Sequence, residues 1–178
     1  LLAGGLGLFL VLLYMFAFYR GLGIVSAGSL IMAMAFTYVT FALLGETIGF
    51  TLTLAGIAGA IVSIGITADS FIVFFERVRD EIREGRSLRS AVETGWVRAR
   101  RTILVADFVS ILAAALLYFF AVGGVRGFAF ALGIATFIDL LVVFFFTKPL
   151  MTVLGRTKFY NSGSAITGVS RKSLGLEA

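Results

Sequence analysis

Cysteine and histidine are both absent from the chain. Without cysteine there is no disulfide framework and no thiolate to act as nucleophile or metal ligand. Without histidine the usual proton shuttle and the commonest metal ligand are missing as well. Neither a metal nor an organic cofactor is therefore expected. Charge is also scarce: 14% of the 178 residues are charged, where a soluble domain carries about a quarter. Over Leu1–Tyr19 and Phe128–Thr147 there is at most one carboxylate and no base.

What fills the chain instead is apolar: 60% of the residues are hydrophobic and 19 are Phe. That is the composition of a chain solvated by lipid rather than of one that buries a core from water. A net charge of +5 and a pI near 10 can signal nucleic-acid binding. Here the basic residues sit beside the hydrophobic runs, so the partner they indicate is membrane lipid, and no nucleic acid is expected. The chain starts at Leu1 inside a hydrophobic run, with neither the basic leader nor the cleavage site of a signal peptide. It reads as a piece of a longer protein.

About 20 apolar residues suffice for a helix to cross the hydrocarbon core. Five stretches qualify: 1–19, 23–44, 51–75, 102–122 and 128–147. Their apolar runs are continuous rather than alternating, and in lipid each segment has to satisfy its own backbone, so helices are expected and strands are not. The connections carry turn signals at 20–23, 45–49 and 123–127. The fold class predicted is an all-α integral membrane bundle of five spans over residues 1–150, followed by a tail over 151–178.

The stretch 76–101 differs, with eight Arg. Together with Arg20, Lys148 and the tail it gathers fourteen of the fifteen basic residues on one side of the membrane, leaving Arg126 on the other. The positive-inside rule places that side in the cytoplasm, and an odd number of spans then puts Leu1 outside. The hinge reads as two short helices broken at Gly85, with Ser87 capping the second. Leu88, Ala91, Val92, Gly95 and Trp96 share one face of that second helix, which predicts an amphipathic helix on the inner leaflet; a solvated connector is the plainer alternative. From Asn161 onward the tail is rich in Ser and Gly and is expected to be disordered.

Three carboxylates fall inside spans: Asp69, Asp107 and Asp139. Each costs about 2.5–3.5 kcal/mol at a helix centre on insertion scales. Low dielectric disfavours the charged form of a carboxylate, a property suited to a proton carrier but also to a polar group that has merely found a hydrogen bond. Asp69 is the leading candidate for proton coupling. Gly65 lies one turn before it, and Gly59, Ser63, Thr67 and Ser70 line another side of the same helix. Small residues allow close helix approach, so Asp69 is expected to face a packed interior. Asp139 stands near midplane among large apolar residues and divides evenly between a functional and a structural role. Asp107, near the cytoplasmic boundary, reads first as structural. No Lys or Arg lies within a span, so any counter-charge would come from another subunit.

The stretches Thr51–Gly59 and Gly65–Glu81, Arg101-Thr-Ile-Leu104, and Gly124–Gly133 resemble the SecD family, accessory subunits of the bacterial Sec translocon. The resemblance covers residues 1–150, and Phe75-Glu76-Arg77 and Gly127-Phe128 are its signatures. It implies a fold of the resistance-nodulation-division (RND) class, corresponding to the second to sixth spans of a six-span half. It also implies pairing with SecF, action beside the SecYEG translocon, and proton-driven export of unfolded polypeptide at the bacterial cytoplasmic membrane. The coupling ion would be the proton, and the family's coupling carboxylate matches Asp69. The family's first span and extracytoplasmic domain are not in this sequence. Where the family reads Asp-Ala-Asn, the chain has Asp69-Ser70-Phe71 and, in the next span, Val105-Ala106-Asp107; Ala55 replaces a proline.

Two other classes compete. An RND exporter of lipids or drugs shares the fold, but the Asp69-Ser70 pair and the Glu76-Arg77 signature argue against it. A non-transporting scaffold would use its acids only to hold helices together. An intramembrane enzyme is the weakest reading, since no nucleophile and base are arranged together. The topology is testable: cysteines placed at Glu46, Ser87 and Ser162 should react with an impermeant reagent in intact cells only at Glu46. The reverse pattern would invert the orientation.

Overall fold

The computed structural model describes residues 2–49 and 51–157. It is helical throughout: α1 (Leu2–Tyr19), α2 (Gly21–Ile48), α3 (Leu54–Arg83), α4 (Leu88–Phe120) and α5 (Gly124–Val142), then a π-helical turn (Val143–Thr147) leading into α6 (Lys148–Leu154). Among the described residues, four helical stretches are long and apolar enough to cross a membrane, namely Gly21–Thr47, Leu54–Arg83, Leu88–Phe120 and Gly124–Leu154. The apolar run Gly4–Tyr19 is shorter. The predicted tail lies outside the described residues from 158 onward, while its first residues continue the last helix to Leu154.

Local chemistry sets the boundaries. Thr53 caps α3 by accepting from the Gly56 N–H at 3.1 Å, and Ser87 caps α4 by accepting from Ser90. Gly49 ends α2 in the left-handed region at φ 67°, where only glycine is unstrained. The turn from α1 to α2 is tighter than its sequence suggested: Arg20 alone separates the two helices. At the other end, Pro149 lacks an N–H and crowds the carbonyl four residues back. The wider π turn sits there, and its Thr147 hydroxyl reaches Ser29 Oγ on α2 at 2.8 Å.

The bundle is built around α3, α4 and α5, with α1 and α2 packed along one side. Two glycines set the closest crossings. A Cβ on Gly59 would lie 2.5 Å from the Phe128 carbonyl oxygen, so α3 and α5 touch backbone to backbone. A Cβ on Gly95 would meet Val78 N at 3.0 Å, so α4 also approaches the α3 backbone closely. The Gly127-Phe128 signature thus belongs to this seam, and Gly127 itself rests against the Thr53 cap.

The hinge corrects an expectation. It is not a separate helix on the leaflet surface, because α3 runs unbroken to Arg83 and α4 starts at Leu88 and continues to Phe120. At 30 and 33 residues and ~1.5 Å per residue, these helices exceed a hydrocarbon core of about 30 Å and project beyond it at one end. The face made by Leu88, Ala91, Val92, Gly95 and Trp96 is buried against protein. The Trp96 ring packs edge-on against Phe74 at 5.3 Å and Phe144 at 4.8 Å, within a core that also holds Phe71, Phe75, Val78 and Met151. An apolar helical stripe has the same period whether it meets lipid or another helix; here α3 and the last helix were available to cover it.

The projecting end is also where charge collects. Glu81 is fully buried, and its two oxygens sit 2.7 Å from Arg86 Nε and 2.8 Å from Arg98 Nη1. These contacts are ionic rather than well-aimed hydrogen bonds. They tie the end of α3 to the loop and to α4, and loss of the arginines would strand a buried charge. Glu76 pairs with Arg79 at 3.2 Å and Arg83 at 3.8 Å, and Arg77 meets Asp80 at 3.9 Å, so the Glu76-Arg77 signature forms part of a surface ion-pair network. Arg79 also donates to the Phe18 carbonyl at 3.1 Å, and Lys148 meets Glu93 at 3.2 Å. Those contacts put the ends of α1, α3 and α5 and the start of α4 at one end of the bundle.

The glycine seam gives a paired test by thermal unfolding in detergent. Gly59→Ala should destabilise the domain by about 1–3 kcal/mol through overpacking. Gly65→Ala, with nothing within 4 Å of its Cβ position, should be neutral or stabilising by up to about 1 kcal/mol. Equal effects at the two sites would discredit the backbone contact.

Candidate functional site: the intramembrane carboxylates

The three acids come from three different helices. Asp69 is on α3, Asp107 on α4 and Asp139 on α5. Among the described residues no three acids converge as a metal ion would require. They are instead strung out in sequence, with Asp107 within electrostatic reach of both Asp69 and Asp139.

Their surroundings differ from what the sequence suggested. Asp69 does not face a packed interior within this chain; it is exposed, as is Gly65 one turn before it. Of the residues expected to pack around it, Gly59, Ser63, Thr67 and Ser70 are indeed buried, but on the opposite side of α3, where they meet α5 and its neighbours. A helix rich in small residues can present them on two faces, and sequence spacing does not say which face the neighbours cover. Ala58, Val62, Gly65 and Asp69 form the uncovered one.

Asp107 and Asp139 are the interior acids, at 1% and 4% exposure. Both Asp107 oxygens, one Asp139 oxygen and the Thr136 hydroxyl are buried without a hydrogen-bond partner. Thr67 on α3 lies in hydrogen-bonding range of the Asp139 carboxyl, and its own hydroxyl donates to the Ser63 carbonyl at 2.9 Å. So many polar atoms without a protein partner are uncommon in a bundle interior, and each costs on the order of 1–3 kcal/mol if left unsatisfied. The structural reading first given to Asp107 explains little of this, because a carboxylate that only holds helices together would have partners. Thr136 was missed altogether: one threonine among apolar residues carries no sequence signal until α5 is seen packed against α3 and α4.

A multi-pass helical bundle that carries carboxylates in its interior is an integral-membrane domain of the all-α class. The comparisons give the particular family. The model of the family "Protein export membrane protein SecD/SecF, C-terminal" matches residues 1–157, and the chain belongs to that family. Its relatives are SecD proteins. The chain is 61% identical over 98% of its length to protein translocase subunit SecD of Streptomyces coelicolor, and 51% identical over 97% to that of Mycobacterium tuberculosis. In both cases it spans 31% of the relative's length. Among solved structures it is similar to SecDF, a translocon-associated membrane protein from Thermus thermophilus, with TM-score 0.78 and 35% identity over 85% of this chain and 21% of that one. A structure of SecDF in a super-membrane-facing form follows at TM-score 0.74 and 33% identity, covering 86% and 21%. The chain is thus a SecD-type membrane domain with an RND-like fold, multi-pass in the bacterial cytoplasmic membrane.

The exposure of Asp69 can be checked without any export assay. Asp69→Ala should destabilise the isolated domain by no more than about 0.5 kcal/mol, since an exposed side chain has no partners to lose. A loss well above 1 kcal/mol would show that Asp69 has partners within the chain.

Proposed function

We propose that this domain couples the proton motive force to protein export, working with SecF beside the SecYEG translocon, and that Asp69 carries the coupling proton. The observation that supports the reading is the placement of Asp69. It is a carboxylate at membrane depth on an uncovered small-residue face, adjacent to a buried and unsatisfied second acid. An intramembrane acid facing lipid would be costly, whereas a face of small residues suits a second helical subunit. SecF as a pseudo-two-fold mate would cover this face and supply the counter-charge that no span of this chain contains.

Binding and release of one proton at such an interface changes the local charge by one unit. That is enough to bias two discrete packings of the subunits, provided they differ in affinity for the proton. In the longer protein the bias would pass to the extracytoplasmic region that handles the unfolded polypeptide. The gathering of basic residues at the projecting end supports an orientation with that end in the cytoplasm, the start of α1 outside and the end of α6 inside.

Export measured in cells or vesicles, with and without a proton gradient, tests the assignment. Asp69→Asn should leave assembly with SecF intact and abolish gradient-dependent stimulation. Asp69→Glu, which keeps the acid and moves it by about one methylene, should retain part of it. Full stimulation with Asp69→Asn would favour a scaffold role for the acids.

A further inference from the structure

A cleft of about 340 Å³ separates α2 from α3 and reaches into the bundle. Its upper walls include Phe41, Leu52 and Ile57, near the end of α2 and the start of α3, at the end of the bundle away from the basic residues. Its floor is Thr67 and Asp139. Most of the wall is apolar, but Thr37, Tyr38, Ser63 and Thr67 add hydroxyls along it. The volume is on the order of ten times the share of one liquid water. Asp139 lines this cleft while nearly fully buried, and one of its oxygens has no partner.

Building on the coupling role proposed for Asp69, we infer that Asp139 is a second proton-binding site, loaded through the α2–α3 cleft and passing its proton by way of Asp107 to Asp69. The arrangement joins two faces of the bundle. The cleft lies on the α2 side of α3, and Asp69 lies on its uncovered face. Asp107 is within electrostatic reach of both acids and has both oxygens unsatisfied, and Thr136, three residues before Asp139 on α5, adds a further unpaired hydroxyl. Water bridging these atoms would satisfy them and complete the path. The titratable group acting on Asp139 is Asp107 from α4, and Tyr38 from α2 lines the cleft; no basic residue lines it among the described residues. No cation is therefore at hand there to hold Asp139 permanently ionised. Under the orientation proposed above, Phe41, Leu52 and Ile57 place one end of the cleft near the side from which the gradient drives protons.

The test uses the full-length protein with its partner in membrane vesicles. Dicyclohexylcarbodiimide couples to protonated carboxyl groups in apolar surroundings, and peptide mass analysis locates the adduct. Asp139 should be labelled, and the labelling should fall as the pH on the cleft side is raised. Ala60→Phe, which fills the cleft wall, should remove most of the label at Asp139 without changing that at Asp69. Asp69→Asn should leave labelling of Asp139 in place, so the relay and the coupling assignment can fail separately. Absence of label on Asp139 at every pH, or labelling indifferent to Ala60→Phe, would overturn the proposal and mark the cleft as a lipid-filled groove.

Discussion

Gly59 and the Phe128 carbonyl oxygen meet where any side chain would force them apart, and the register of the bundle depends on that contact. α3 and α5 run in the same direction from it. Thr67 stands eight residues beyond Gly59, and Asp139 seven beyond Leu132, whose N–H also faces Gly59. With ~1.5 Å of rise per residue, the two side chains arrive at nearly the same level, Thr67 beside Asp139. In lipid there is no hydrophobic drive between helices, so close van der Waals packing of this kind carries much of the association.

At the projecting end the chemistry changes because the solvent changes. Beyond the hydrocarbon layer water is available, and the hydrophobic effect again rewards burial. The Glu81 ion pairs belong to this soluble-like region, and the aromatic group of Phe74, Trp96 and Phe144 packs on the membrane side of it. It packs α3 and α4 together at one end, while α2 makes sparser contact with α3 further along and leaves the cleft. The bundle is therefore tight at its basic end and more open at the other.

Between those ends lies a polar interior with too few partners. Asp107, Thr136 and Asp139 keep unsatisfied atoms at a place where each one is costly. Natural structures retain few such groups, and each calls for a functional role, local strain or a bridging water. On the outside of α3, Asp69 and Gly65 lie on a face that nothing else in this chain covers among the described residues.

Much of this was legible in the sequence. The composition fixed the solvent, the apolar runs gave the helices, and basic asymmetry gave an expected orientation, because these depend on local patterns and transfer energies. The cap at Ser87 and the breaks at Gly49 and Gly85 also mark conformations that only certain residues favour, whereas the cap at Thr53 was seen only in the structure. The three acids stood out because charge in an apolar run is visible without neighbours. Only the tertiary structure decided which faces are covered. It placed the small residues of α3 against α5, left Gly65 and Asp69 uncovered, and made Asp107 and Asp139 the interior acids. It also turned the amphipathic hinge from a leaflet helix into a protein-packed end of two long helices. A helical period of 3.6 names a face but not what lies opposite it; that depends on crossings between segments distant in sequence, such as Gly59 with Phe128 and Gly95 with Val78.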